Sequence, residues 1–202
     1  MLKHFTERKA VQLIATESRR IDITPHRLSQ VHIEIGKYLA NEILEEFELE
    51  NCEIKHSQGI KVGKQLSQEK NIIILDFMRA GVYIGDGLRY IFQNSPYHHI
   101  YPERDQGLSE KELKMLYFLK DKIVIIVDSV INTGNTMIPV IQQISNYNPK
   151  KIIVTCQVMP FDTAEMLEKR FPDVSFYIFR LSDNKYVGKG ITDTGNRLFG
   201  TF

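Results

Sequence analysis

Between His26 and Leu49 the apolar side chains fall at Leu28, Val31, Ile35, Leu39, Ile43, Leu44 and Phe47. Steps of three and four put them on one face, so the spacing predicts one long amphipathic helix. Thr24 ahead of Pro25 supplies its N-cap, since a side-chain oxygen there accepts a free backbone N–H and proline fits the first helical position. The opposite face carries Glu34, Glu42, Glu45, Glu46 and Glu48. Anionic lipid would repel that face, so the helix is read as core packing or a subunit contact.

Further along, the pattern changes to short continuous apolar runs. Residues 71–77 (NIIILDF), 122–128 (KIVIIVD), 151–158 (KIIVTCQV) and 174–179 (VSFYIF) are brief and β-branched. Strands covered on both faces have that composition. Stretches 82–92, 136–145 and 163–171 between them read as helices. Alternation of strand and helix predicts an α/β fold with a mainly parallel central sheet flanked by helices. Low-complexity tracts, repeats and Pro/Gly/Ser linkers are absent from the 202 residues, which predicts a single domain over 1–202 with a helical N-terminal part over 1–50.

Charge adds exclusions. With 26 Lys plus Arg against 25 Asp plus Glu, no net field draws nucleic acid or an anionic membrane, and any anion site must be local. Two cysteines, Cys52 and Cys156, are too few for a disulfide framework and sit among apolar residues, so both are expected to be small buried hydrophobes. The first twenty residues lack the apolar stretch of a signal peptide and no run approaches 18 apolar residues. The expectation is a soluble protein of the reducing cytoplasm. Adjacent His98 and His99, with no nearby cysteine and no i, i+4 spacing, read as surface or turn residues, and no metal ligands are assigned.

Ligands of parallel sheets gather at the carboxyl ends of the strands. There the run ending at Asp128 enters Ser129, Val130, Ile131, Asn132, Thr133, Gly134, Asn135 and Thr136, after which a helix begins. Gly134 can take positive φ, and the backbone N–H groups of residues 132–136 can converge on an anion at the helix N-terminus. Thr133 and Thr136 add hydroxyl donors. Asp128 would repel a phosphate but can accept hydrogen bonds from a ribose's hydroxyls. The P-loop is excluded, because its lysine is missing. An ordinary strand-to-helix turn, with Thr136 capping the helix, accounts for the same residues.

This turn resembles the 5-phosphoribosyl-1-pyrophosphate (PRPP) motif of type I phosphoribosyltransferases. Met78-Arg79-Ala80-Gly81 followed by Asp86-Gly87, and the ending Thr192-Asp193-Thr194-Gly195-Asn196-Arg197-Leu198-Phe199-Gly200-Thr201, are similar to the uracil phosphoribosyltransferase family. The resemblance spans about residues 70–202, which would be the PRPP- and base-binding core. It implies that Arg79 and Arg104 contact the pyrophosphate, a role suited to a fixed fork of charged donors. It further implies that Asp128 holds the ribose, that residues 129–136 hold the 5-phosphate, and that Asp193 meets PRPP through water or Mg²⁺. Uracil would be read by backbone groups near Val187 and from Thr192 to Thr194.

The implied reaction displaces pyrophosphate from PRPP by N1 of uracil, giving UMP in pyrimidine salvage. Mg²⁺ would arrive mainly on the pyrophosphate. Relatives are commonly dimers or larger, and GTP activates some. Several residues depart from the family pattern: Ser129 for proline, Asn132 for a small residue, Lys189 for proline, Thr192 for glycine and Asn196 for aspartate. Thr192 brings a Cβ and a hydroxyl to the base loop, which predicts a narrower or more polar pocket. Two alternatives follow: transfer to a different base, or a PRPP- or nucleotide-binding regulator altered in catalysis.

Overall fold

The four apolar runs form the central strands of a parallel sheet. The computed structural model describes residues 1–185 and 188–201. In chain order the elements are β1 (Leu2–His4), α1 (Lys9–Ser18), α2 (Pro25–Leu44), β2 (Leu49–His56), β3 (Gly59–Leu66), β4 (Ile72–Phe77), α3 (Val82–Leu88) and β5 (Tyr97–Ile100). There follow α4 (Glu110–Met115), β6 (Ile123–Val130), α5 (Met137–Ser145), β7 (Lys151–Pro160), α6 (Phe161–Arg170), β8 (Val174–Ser182) and α7 (Thr194–Phe199). The main sheet runs β1-β8-β7-β6-β4-β5 with every pairing parallel, while β2 and β3 form a separate antiparallel hairpin.

Each central strand feeds two apolar layers, as a run buried on both faces must. On β4, Ile73, Leu75 and Phe77 join the layer packed by α5 and α6. Ile72 and Ile74 join the layer formed with α1, α2 and α3. The long helix is held as expected at its start, where the Thr24 hydroxyl accepts the Arg27 N–H at 3.2 Å. Leu28, Val31, Ile35, Leu39 and Ile43 are fully buried. Where α2 crosses α3, Gly36 meets Gly87, and a Cβ on Gly36 would lie 2.2 Å from the Ile84 carbonyl oxygen. Glycine on both sides lets the two backbones touch.

Several boundaries differ from the sequence reading. Helix α2 ends at Leu44 rather than Leu49, because the next residues turn through short-range bonds into β2. Helix α3 stops at Leu88 rather than 92; Gly85 and Gly87 weaken its helical propensity. The hairpin passed unrecognised because most of its residues are exposed, leaving little alternation to detect. His98 and His99 lie on strand β5, not in a turn: His98 packs on Phe118 and His99 Nδ1 meets buried Asp76 at 2.7 Å. Cys156 is buried, but Cys52 lies half-exposed on the hairpin. No helix among the described residues is long and apolar enough to cross a membrane.

Order in the sheet fixes where a ligand can go. From β4 the chain crosses through α3 to β5 on one side, and from β6 it crosses through α5 to β7 and β8 on the other. The carboxyl ends of adjacent β4 and β6 therefore border a crevice from which the crossovers diverge.

Candidate active site

A cavity of about 890 Å³ opens at that crevice, within the range of small-molecule sites. Asp128 and the whole run from Val130 to Thr136 line it. Gly134 takes φ +81°, the left-handed turn that admits glycine without a Cβ clash. The Ile131 N–H is spent on the Val158 carbonyl at 3.1 Å, and the Ile138 N–H on the Gly134 carbonyl at 2.8 Å. Among the described residues, the N–H groups of Thr133, Gly134 and Thr136 donate to no protein acceptor. Thr136 precedes α5 without a side-chain cap bond, so its hydroxyl is not consumed by the helix. Free donors at a helix N-terminus, facing a cavity, are what a phosphate group requires.

Asp128 Oδ1 accepts the Ser129 N–H at 2.6 Å. Burial pushes its carboxyl up to about 7, partly offset by the Ser129 and Val130 N–H groups and reinforced by the Asp76 charge. A partner offering hydroxyl donors would favour the ionised form. The Ser129 side chain faces away from the phosphate turn: its hydroxyl meets His32 Nε2 at 3.0 Å. His32 is buried on α2 with Nδ1 at 2.9 Å from the Leu28 carbonyl, and burial lowers it to about 4. The imidazole is thus neutral, donating through Nδ1 and accepting the serine proton. It anchors the strand end that carries Asp128.

Arg104 reaches the cavity from the loop after β5. That loop is fastened to the phosphate turn by the Asp105 N–H on the Asn135 carbonyl at 3.2 Å. Gln143 of α5 holds it from below, accepting the Leu108 N–H at 2.8 Å and donating to the Gln106 and Leu108 carbonyls. Arg79 is placed differently from the other site residues. Its guanidinium donates to Asn196 Oδ1 at 2.9 Å and Thr201 Oγ1 at 3.1 Å, at the cavity's edge, while the neighbouring Ala80 lines the interior.

The loop of residues 188–195 forms the facing wall. Asp193 caps α7, accepting the Asn196 N–H at 2.8 Å, and Thr194 follows it along the lining. The Thr192 hydroxyl accepts the Lys189 N–H at 2.9 Å and donates to the Lys189 carbonyl at 2.8 Å. It closes the loop on itself rather than adding polarity to the pocket. A Cβ on Gly188 would sit 2.5 Å from the Thr192 carbonyl oxygen, so the turn tolerates only glycine there. Val187 lies outside the described residues. Arg197 ties α7 to the C-terminal end of α1 through the Ser18 and Arg20 carbonyls.

Sequence reasoning did not find His32, Gln157, Arg180 or Arg19 at this site. Only His32 and Gln157 left a trace, each a polar residue on an otherwise apolar face. Among the described residues, no group of three or more His, Cys, Asp or Glu side chains could hold a metal ion by itself. Cys156 is no nucleophile: burial raises its thiol, and the Asp128 charge raises it further.

A parallel sheet with free N–H donors and a buried acid around a cavity at its switch point is the arrangement of a phosphoribosyltransferase-like protein. A family model for uracil phosphoribosyltransferase matches residues 5–201. The chain belongs to that family. It is 28% identical over 98% of its length to a uracil phosphoribosyltransferase of Rhodococcus jostii (strain RHA1), covering 98% of that protein. It is 31% identical to the one of Macrococcus caseolyticus (strain JCSC5402), covering 83% of each chain. Among solved structures, the AQ2163 protein from Aquifex aeolicus shares the fold with a TM-score of 0.80 at 23% identity, over 100% of this chain and 99% of that one.

Proposed function

We propose that this protein transfers the 5-phosphoribosyl group of PRPP to N1 of uracil, forming UMP and pyrophosphate. The observation that carries the reading is one cavity walled by the phosphate turn, Asp128 and the base loop 188–195. The C1–oxygen bond to pyrophosphate breaks, the C1–N1 bond forms, and the N1 proton leaves to solvent. Donors of residues 133–136 bind the 5-phosphate and Asp128 accepts the ribose hydroxyls, which fixes C1 against the base wall. Arg104 stabilises the charge developing on the leaving group, and Arg79 joins it by exchanging its neutral partners Asn196 and Thr201 for phosphate oxygens. Asp193, lining the cavity, presents a carboxylate toward PRPP and its magnesium. Magnesium, carried on the pyrophosphate, supplies further charge neutralisation when bound.

Catalysis in this scheme is positioning and electrostatics, and no general base is invoked. A homo-oligomer in the cytoplasm completes the reading, supported by the outward Ile60 and Val62 of the hairpin. The test is product formation from PRPP, Mg²⁺ and uracil, with and without GTP, followed by chromatography of UMP and pyrophosphate. UMP formation supports the proposal. Failure of uracil to react while PRPP binds would refute it.

A further inference from the structure

Uracil is neutral, and a pocket that reads it through backbone groups needs no cation. Yet the wall of the cavity beside the base loop carries two guanidinium groups. Arg180, at the end of β8, is half-buried; among the described residues its Nε, sealed from solvent, has no hydrogen-bond partner, and its Nη1 reaches the neighbouring Leu181 carbonyl at 3.2 Å. Arg19, from the end of α1, spends its Nε on the Ala15 carbonyl at 3.0 Å. Among the described residues neither forms an ion pair. Burial and the charge of Arg19 both push the Arg180 guanidinium down from its ordinary value, with Asp183 as the opposing carboxylate. A half-buried cation sharing a wall with a second, exposed one is relieved when an anion joins them.

A third group points to the same ligand. Gln157, 7% exposed toward the end of β7, donates to the Ser18 hydroxyl at 3.1 Å, while its buried Oε1 has no partner among the described residues. The wall thus holds an acceptor short of a donor next to donors short of an anion. A flat ring with an N–H and an anionic oxygen supplies both. The phosphate turn and Arg104 lie on the other walls, beside β6 and β5.

We propose that Arg180 and Arg19 form an anion subsite beside the base loop, with Gln157 accepting a ring N–H, and that the preferred acceptor is a uracil-class pyrimidine bearing a ring carboxylate. The proposal rests on the transfer reaction above and names the substrate class of the same site. Arg180 supplies the fork for the carboxylate and Arg19 the second charge.

The test compares uracil with 5-carboxyuracil and 6-carboxyuracil. Binding is measured by calorimetry with ribose 5-phosphate and magnesium pyrophosphate present, and kcat/KM with PRPP. A carboxylated base is expected to be preferred by about tenfold or more. That preference should fall at least tenfold in Arg180→Gln, fall in Arg19→Gln, and return only in part in Arg180→Lys, which keeps the charge and loses the fork. Arg19 is exposed, so its variant serves if the buried position does not tolerate glutamine. Equal or tighter binding of uracil, or a preference that survives both glutamine variants, overturns the proposal. Calorimetry gives this answer whether or not turnover occurs, and UMP formation from uracil separately decides the transfer reaction.

Discussion

Replacing Asp128 by Asn should make the protein more stable and less active at the same time. The carboxyl is pushed up to about 7 in the fold, against about 3.9 for an unfolded aspartate. Its ionisation is therefore resisted in the ligand-free protein: below about pH 4 there is no penalty, the penalty grows from pH 4 to 7, and it is complete above 7. Three pKa steps at about 1.4 kcal/mol each set an upper bound of about 4 kcal/mol at pH 8. Asparagine keeps an oxygen for the Ser129 N–H, carries no charge, and should recover about 1–4 kcal/mol of that.

The ribose hydroxyls, however, lose an ionised acceptor, worth about 1.5–3 kcal/mol, or about 10- to 150-fold in kcat/KM for PRPP. Wild-type kcat/KM should rise as pH passes about 7, and the variant should lose that limb. Denaturant unfolding at pH 5 and 8 together with PRPP kinetics over pH 5–9 measures both effects. A variant that is less stable at pH 8, or that keeps activity within twofold, would refute the reasoning.

Gly36→Ala should drive a methyl group into the Ile84 carbonyl 2.2 Å away, costing about 1–3 kcal/mol in urea unfolding, whereas an unchanged midpoint would mean the α2–α3 crossing can open freely. Glu46 contacts Lys3, Lys151 and the Tyr177 hydroxyl; although burial opposes it, these partners hold its carboxyl down at about 2. Its stabilisation is full above about pH 4.3 and is lost as pH falls toward 2. Glu46→Gln should therefore cost about 2–3 kcal/mol at pH 7 and almost nothing near pH 2, measured by thermal unfolding across that range. Thr192→Val removes both bonds to Lys189, so the KM for the base should rise about fivefold with little change in that for PRPP; equal changes in both would show the hydroxyl serves the whole cavity.

What was legible in the sequence follows from how strongly burial constrains each segment. Strands β4, β6, β7 and β8 read correctly because a run covered on both faces can contain little but apolar residues, and the loop after β6 carries its glycine and hydroxyls within one short window. Strand β5 was hidden by Tyr97, His98 and His99: Tyr97 and His99 are satisfied by Asp76 on the adjacent strand, and His98 packs on Phe118. The hairpin lacks a buried face to impose alternation. Pairings such as His32 with Ser129, 97 positions apart, and the placing of Arg19 and Arg180 around one cavity depend on tertiary packing alone. Arg79 was found by its local motif, yet its partners Asn196 and Thr201 came into view only with the fold.

The parallel pairing of β1 with β8 brings Leu2 beside Phe176, closing a very long loop for only three residues of strand. Such a contact repays its closure entropy late, after β4, β6, β7 and β8 have assembled. On the refolding clock β1 should dock last, and in hydrogen exchange its amides should open well below the global unfolding free energy. Helix α1, reached through β1 and supplying Arg19, would then join the site only in the final step of folding. A brief population with the turn of residues 130–136 formed and the wall that holds Arg19 unfinished is the kinetic consequence of that edge strand.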